Sequence, residues 1–150
     1  TLGDLDGNGL LDMYIVEDSQ DKVAMATGID GSGDVIYNTS TISNSPRTEG
    51  FGGNIKFIDI DGDDDLDLGV ATIDVDIQNC PPGGSNNGFC LLRNDGSGGL
   101  TDPFAGSSDQ NFNLSVHDYD YIDVNGDGLL DLVLCLCDGW RILTQDPPSK

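Results

Sequence analysis

The stretch Asp123-Val124-Asn125-Gly126-Asp127-Gly128-Leu129-Leu130-Asp131 has two earlier counterparts in the same register, and this repetition constrains the chain more than any other feature. The counterparts are Asp4-Leu5-Asp6-Gly7-Asn8-Gly9-Leu10-Leu11-Asp12 and Asp59-Ile60-Asp61-Gly62-Asp63-Asp64-Asp65-Leu66-Asp67. Oxygen-bearing side chains stand at positions one, three, five and nine, with glycine at four and, in two copies, at six. A hard cation such as Ca²⁺ takes roughly six to eight oxygen ligands and tolerates irregular geometry. Sulfur and imidazole suit softer ions. In the third copy Asp123, Asn125 and Asp127 can converge on one point, and the backbone carbonyl of Leu129 and the carboxylate of Asp131 close the shell. Gly126 and Gly128 allow the tight curvature and positive φ that a side chain resists. Clustered carboxylates repel one another, so each loop is expected to be well ordered only with calcium bound.

The residues after each loop separate two kinds of calcium site. An EF-hand loop carries a bidentate Glu at position twelve and is flanked by helices. Position twelve here is Ile15, Val70 and Leu134, all apolar, so the loop must close at position nine. Each loop leads into β-type residues and none continues with helical periodicity. Turn sequences come next at Gly28-Ile29-Asp30-Gly31-Ser32-Gly33 and Asn94-Asp95-Gly96-Ser97-Gly98-Gly99, with the Asn-Asp-Gly chemistry of hairpins. The pattern predicts strands over roughly 12–17, 22–27, 34–38, 55–60, 67–73, 89–93, 117–123, 131–137 and 140–144, and no helix. The expected architecture is all-β and mostly antiparallel.

Six Lys plus Arg against 27 Asp plus Glu give a formal charge of −21, which argues against nucleic acid or an anionic membrane surface as partner. Three bound Ca²⁺ ions would bring it to −21 + 6 = −15. No apolar run reaches the length of a membrane span, and the amino terminus does not read as a signal peptide. Thr1 lies three residues before the first loop, where a complete repeat would have a strand, so the chain reads as a processed product or a piece of something longer. Four cysteines, the sequons at Asn38 and Asn113, and the acidic loops together point to an extracellular or cell-surface setting.

From Asp12 to Asp30 is 18 residues, but from Asp67 to Asp95 is 28, so the middle repeat carries an insertion of about ten residues. The segment from Cys80 to Cys90 falls there, and a disulfide between these two would clip its base. Four cysteines allow three pairings, and sequence does not choose among them. With that pair closed, Cys135 and Cys137 stand two apart on one strand face. Buried free thiols, a short-range bridge and links to another chain all fit that spacing; a zinc site lacks the usual spacing and a nearby histidine. His117 is the single histidine, and Ser115-Val116-His117-Asp118 is local, whereas triad partners come from separate elements. The chain is therefore not expected to be an enzyme. Trp140, Tyr119 and Tyr121 are expected to pack in the core or at its rim, with a glycan-binding face as the alternative.

The three loops, Phe51-Gly52-Gly53 ahead of the second, and Leu91-Leu92-Arg93-Asn94-Asp95-Gly96-Ser97-Gly98 after it resemble the FG-GAP and VCBS repeat family. The resemblance implies four-stranded antiparallel blades of β-propeller type, with loop calcium in a structural role. Loop starts 55 and 64 residues apart are of blade size. Repeat units would span 1–48, 49–112 and 113–150, about two and a half blades, completed by a longer chain or by neighbouring subunits. Carried over by position, one site is Asp4, Asp6, Asn8 and Asp12, the next Asp59, Asp61, Asp63 and Asp67, and the last Asp123, Asn125, Asp127 and Asp131. Carbonyls of Leu10, Asp65 and Leu129 would join them, for about three ions. Asp64 departs from the family by replacing the glycine at position six, a place aspartate tolerates better than most residues. The implied function is a calcium-stabilised extracellular adhesion or binding module whose partners are protein or glycan surfaces. The alternatives are a filament subunit assembled by head-to-tail completion of its blades and, third, an accessory domain of a secreted enzyme.

Overall fold

The computed structural model describes residues 1–16, 21–41, 54–72, 88–101, 103, 116–136 and 139–146. These residues form eleven strands and no helix: β1 Leu2–Gly3, β2 Asp12–Ile15, β3 Lys22–Ile29, β4 Val35–Thr41, β5 Ile55–Ile58, β6 Asp67–Thr72, β7 Gly88–Asn94, β8 Leu100–Thr101, β9 Val116–Ile122, β10 Asp131–Leu136 and β11 Gly139–Leu143. All nine strands predicted from sequence are present with shifted ends. The two additions, β1 and β8, are two residues long, too short to show alternation of apolar and polar side chains.

Every neighbouring pair is antiparallel, and the strands form three sheets ordered β1-β2-β3-β4, β5-β6-β7-β8 and β9-β10-β11. The strand that sequence did not place ahead of the first loop is β1, which sets Leu2 opposite Met13 and Gly3 opposite Asp12. The first sheet is therefore four-stranded. Each acidic loop joins the first strand of its sheet to the second. The expected hairpin turns connect β3 to β4 and β7 to β8. In the first, the Asp30 carboxylate accepts the N–H of Ser32 and of Asp34; in the second, Asp95 accepts those of Ser97 and Gly99. These bonds hold the Asp30 carboxyl below the ordinary range, and at Asp95 the Ser97 hydroxyl, donating at 2.7 Å, does so first and the two N–H groups after it. The segments 51–53 and 80–87, including Cys80 and most of the insertion, lie outside the described residues, as do Asn113 and Cys137.

The second sheet lies between the other two, because side chains alternate across a strand. Its one face, Leu68, Val70, Cys90 and Leu92, packs on Leu5, Tyr14 and Val23 of the first sheet. Its other face, Ala71 and Phe89, packs on Val116, Tyr119, Leu132 and Leu134 of the third. Burying side chains of this kind stabilises by about 1.5–3 kcal/mol each. Close approach depends on Gly69, where an added Cβ would stand 2.5 Å from the Tyr121 hydroxyl and 2.7 Å from that of Tyr119. The Tyr119 hydroxyl instead donates to the Gly69 carbonyl at 2.5 Å and accepts the Lys56 N–H at 2.8 Å. Tyr119 and Tyr121 are thus packing residues, as expected. Trp140 is not: it is 71% exposed on β11.

Candidate metal centres

The three loops share one hydrogen-bonding plan that grows from their spacing. The position-one carboxylate turns inward and accepts the N–H groups that glycine and its neighbours present. Asp4 accepts from Asn8 and Gly9, Asp59 from Gly62, Asp63 and Asp64, and Asp123 from Gly126, Asp127 and Gly128. Side chains at position five cap the loop's far end: the oxygens of Asn8, Asp63 and Asp127 accept the N–H of Leu10, Asp65 and Leu129. Positions four and six take positive φ in every copy, at Gly7 and Gly9, Gly62 and Asp64, and Gly126 and Gly128. Asp64, with φ 73°, does so in place of glycine. Asp64→Val is accordingly expected to cost about 1–2 kcal/mol, the penalty of an ordinary side chain in left-handed backbone, while Asp64→Gly costs nothing. Urea denaturation of both variants checks this.

Position nine is the buried foundation. Asp12, Asp67 and Asp131 are at most 1% exposed, although each opens a strand at the edge of an exposed loop. One oxygen accepts the N–H of position two: Leu5 to Asp12 at 2.7 Å, Ile60 to Asp67 at 3.2 Å, Val124 to Asp131 at 3.0 Å. The other accepts an N–H from the following strand or just past it, from Ala26 within β3 at 2.7 Å, Asn94 at the end of β7 at 2.9 Å and Gln145 beyond β11 at 2.9 Å. This brace between loop and third strand was not foreseen from sequence. Its signal was a fixed interval, since Ala26 and Gln145 each lie 14 residues beyond their aspartate. Asn94 lies 27 beyond, so the middle repeat is 27 − 14 = 13 residues longer there, close to the insertion of about ten that was expected.

Positions one, three and nine meet. Ligand oxygens of Asp4, Asp6 and Asp12 all lie within 4.8 Å of one another, and so do those of Asp59, Asp61 and Asp67, giving two groups that could hold a metal ion. The third loop has Asn125 at position three, so Asp123 and Asp131 supply its two carboxylates there. The donor set fits a hard cation, being all oxygen, largely anionic and partly withdrawn from water. One atom supports the fit directly: Asp61 Oδ1 is buried with no hydrogen-bond partner, while its Oδ2 pairs with Arg93 Nη1 at 2.9 Å. A buried carboxylate oxygen is costly to leave unmatched.

Electrostatics differ between the loops. In the second, burial and then the neighbouring charges of Asp63, Asp59, Asp61 and Asp64 push the Asp65 carboxyl above its ordinary range. Asp67 is also pushed up, chiefly by burial, against the N–H bonds from Asn94 and Ile60. In the third loop the N–H of Gly128, joined by those of Gly126, Asp127 and Asn125, holds Asp123 below its ordinary range. The second loop is therefore the most crowded with negative charge.

Of the remaining candidates, Cys90 is buried and disulfide-bonded. Its proposed partner Cys80 is outside the described residues. Cys135 is a free, exposed thiol, so burial is not its state. His117 and Asn38 are exposed on β9 and β4. Missed from sequence was Asn94, 7% exposed, whose amide donates to the Leu5 carbonyl at 2.8 Å and ties the second sheet to the first loop. No helix among the described residues is long and apolar enough to cross a membrane. Stacked antiparallel sheets with acidic loops between first and second strands thus define the class of the molecule. No protein-family model matches the sequence, and no curated protein is significantly similar to it.

Proposed function

We propose that the chain is a calcium-stabilised extracellular adhesion or binding module of the FG-GAP and VCBS kind, each sheet a blade of β-propeller type. The observation that carries this reading is the convergence of positions one, three and nine in the first two loops, with a buried, unmatched oxygen on Asp61 in the second. Asp4, Asp6 and Asp12 would hold one ion and Asp59, Asp61 and Asp67 another, with Asp123, Asn125 and Asp131 forming a less charged third site. The ion would neutralise the carboxylates and fix the loop that each sheet starts from. Engagement of loop carboxylates by backbone N–H groups supports a structural role over acid–base chemistry.

The experiment is thermal denaturation in millimolar Ca²⁺, in millimolar Mg²⁺ and in chelator. Calcium should raise the midpoint well above the chelated value, and magnesium, which demands compact octahedral geometry and sheds water reluctantly, should do so much less. Equal midpoints in calcium and chelator would overturn the reading.

A further inference from the structure

Aligned on their position-nine aspartates, the three sheets show which residues are equivalent. Leu68 and Val70 of β6 correspond to Leu132 and Leu134 of β10 and to Met13 and Ile15 of β2. The shared N–H bond to position nine equates Ala26, Asn94 and Gln145, and so places Phe89 of β7 in the same position as Trp140 of β11. Each sheet thus has a leading face and a trailing face, with Asp21 in the first sheet at the place of Phe89 and Trp140.

The leading face of the second sheet, with Leu68 and Val70 at most 1% exposed, is buried on the first sheet. That of the third, with Leu132 and Leu134, is buried on the second. Phe89, on the trailing face of the second sheet, is fully buried with its ring centroid 4.7 Å from that of Tyr119 in the next. Its equivalent, Trp140, is 71% exposed, beside Ile142 at 40%. Trp140 pairs across the ladder with Cys135 and Ile142 with Val133, so all four share the trailing face of the third sheet. At the other end of the stack, Leu2 is 55% exposed and stands opposite Met13 on the leading face of the first sheet. Among the described residues, neither outer face meets another sheet.

We propose that these two faces bind each other between copies of the chain, head to tail, the leading face of one copy's first sheet covering Trp140 and Ile142 of the next. The occupant follows from continuity: both interfaces inside the molecule join a trailing face to a leading face, and the exposed leading face belongs to the first sheet. Charge does not decide the contact, since Asp120 beside Val133 is already paired with Lys56 at 2.8 Å within the chain. The acidic loops lie at strand ends, off both faces. Such an interface uses different patches on the two partners, so it propagates into an open assembly or closes into a ring. It does not depend on which cation the loops hold.

The test uses the whole chain at physiological salt in millimolar calcium, from micromolar to millimolar protein, with mass read by light scattering. Wild type should grow in mass with concentration, in multiples of 15.8 kDa. Trp140→Asp and Leu2→Asp, both at exposed positions, should each remain single chains, because each lacks one face. Mixed in equal amounts they should form a two-chain species and nothing larger. Trp140 is the single tryptophan, so its acrylamide quenching in wild type should fall several-fold as assembly proceeds. Wild type that stays monomeric with Trp140 fully quenchable overturns the proposal. So does assembly by Leu2→Asp alone, which would mean that trailing faces pair with each other, or a mixture that does not combine.

Discussion

Asp67→Ala is expected to lower stability by about 3–5 kcal/mol in chelator, where no ion contributes to the loss. The carboxylate is 1% exposed and receives two backbone N–H groups, from Ile60 at 3.2 Å and Asn94 at 2.9 Å. Alanine leaves both donors without their acceptor, and it unties the loop from the strand that carries Asn94. Asn94 in turn holds the first loop through Leu5, so the damage crosses between sheets. An opposing effect exists, because removing the charge relieves burial and repulsion from Asp61 and Asp63. Two lost charge-assisted bonds outweigh it. Asp67→Asn, which keeps one acceptor oxygen, should fall between wild type and alanine. Asp59→Ala, at a partly exposed position whose donors can turn to water, should cost about 1 kcal/mol. Urea denaturation of the three variants decides: equal losses at Asp59 and Asp67 would show that position nine is an ordinary loop carboxylate.

Position nine also shows how far sequence can be read. The nine-residue loop pattern, the apolar residue at position twelve and the Asn-Asp-Gly turns locate the loops, the strands and the antiparallel order. Each is a local property, written within a few residues of what it specifies. The brace from Asp67 to Asn94 spans 27 residues through an insertion, and its acceptor is a side chain while its donor is backbone, which any residue but proline could supply. No residue type marks it. Trp140 departs from expectation for a related reason: an aromatic on a strand reads as core, and only the stacking order of the sheets shows that, among the described residues, its face is the outermost one. Gly69 carries no sign that Tyr119 and Tyr121 must approach it. Asp64 is the opposite case, since the demand for positive φ at position six is legible from Gly9 and Gly128 at the same place.

Calcium and acid should act against each other, giving the largest effect expected of this protein. On the proposed reading, with free calcium about a hundredfold above Kd, linkage gives about 2.7 kcal/mol per site, so the three proposed sites would give about 8 kcal/mol and a midpoint rise on the order of 20 °C. Without calcium the second loop responds to pH in the reverse sense. Burial raises the folded pKa of Asp65 and Asp67 above the ordinary 3.8. For such a group the stabilising contribution is fully present below the unfolded value and is lost as pH rises through the folded one. Asp30, Asp95, Asp120 and Asp123 are lowered by hydrogen bonds, and their contribution is lost only as pH falls below the ordinary range. In chelator, therefore, the midpoint should rise gently from pH 7 toward the upper end of the carboxylate range and turn down below it. In calcium it should be highest at neutral pH and fall on acidification, because protons displace the ion from the same oxygens. The two curves should converge near the carboxylate range. Curves that stay parallel from pH 7 to pH 4 would mean that the ion is held by something other than these aspartates.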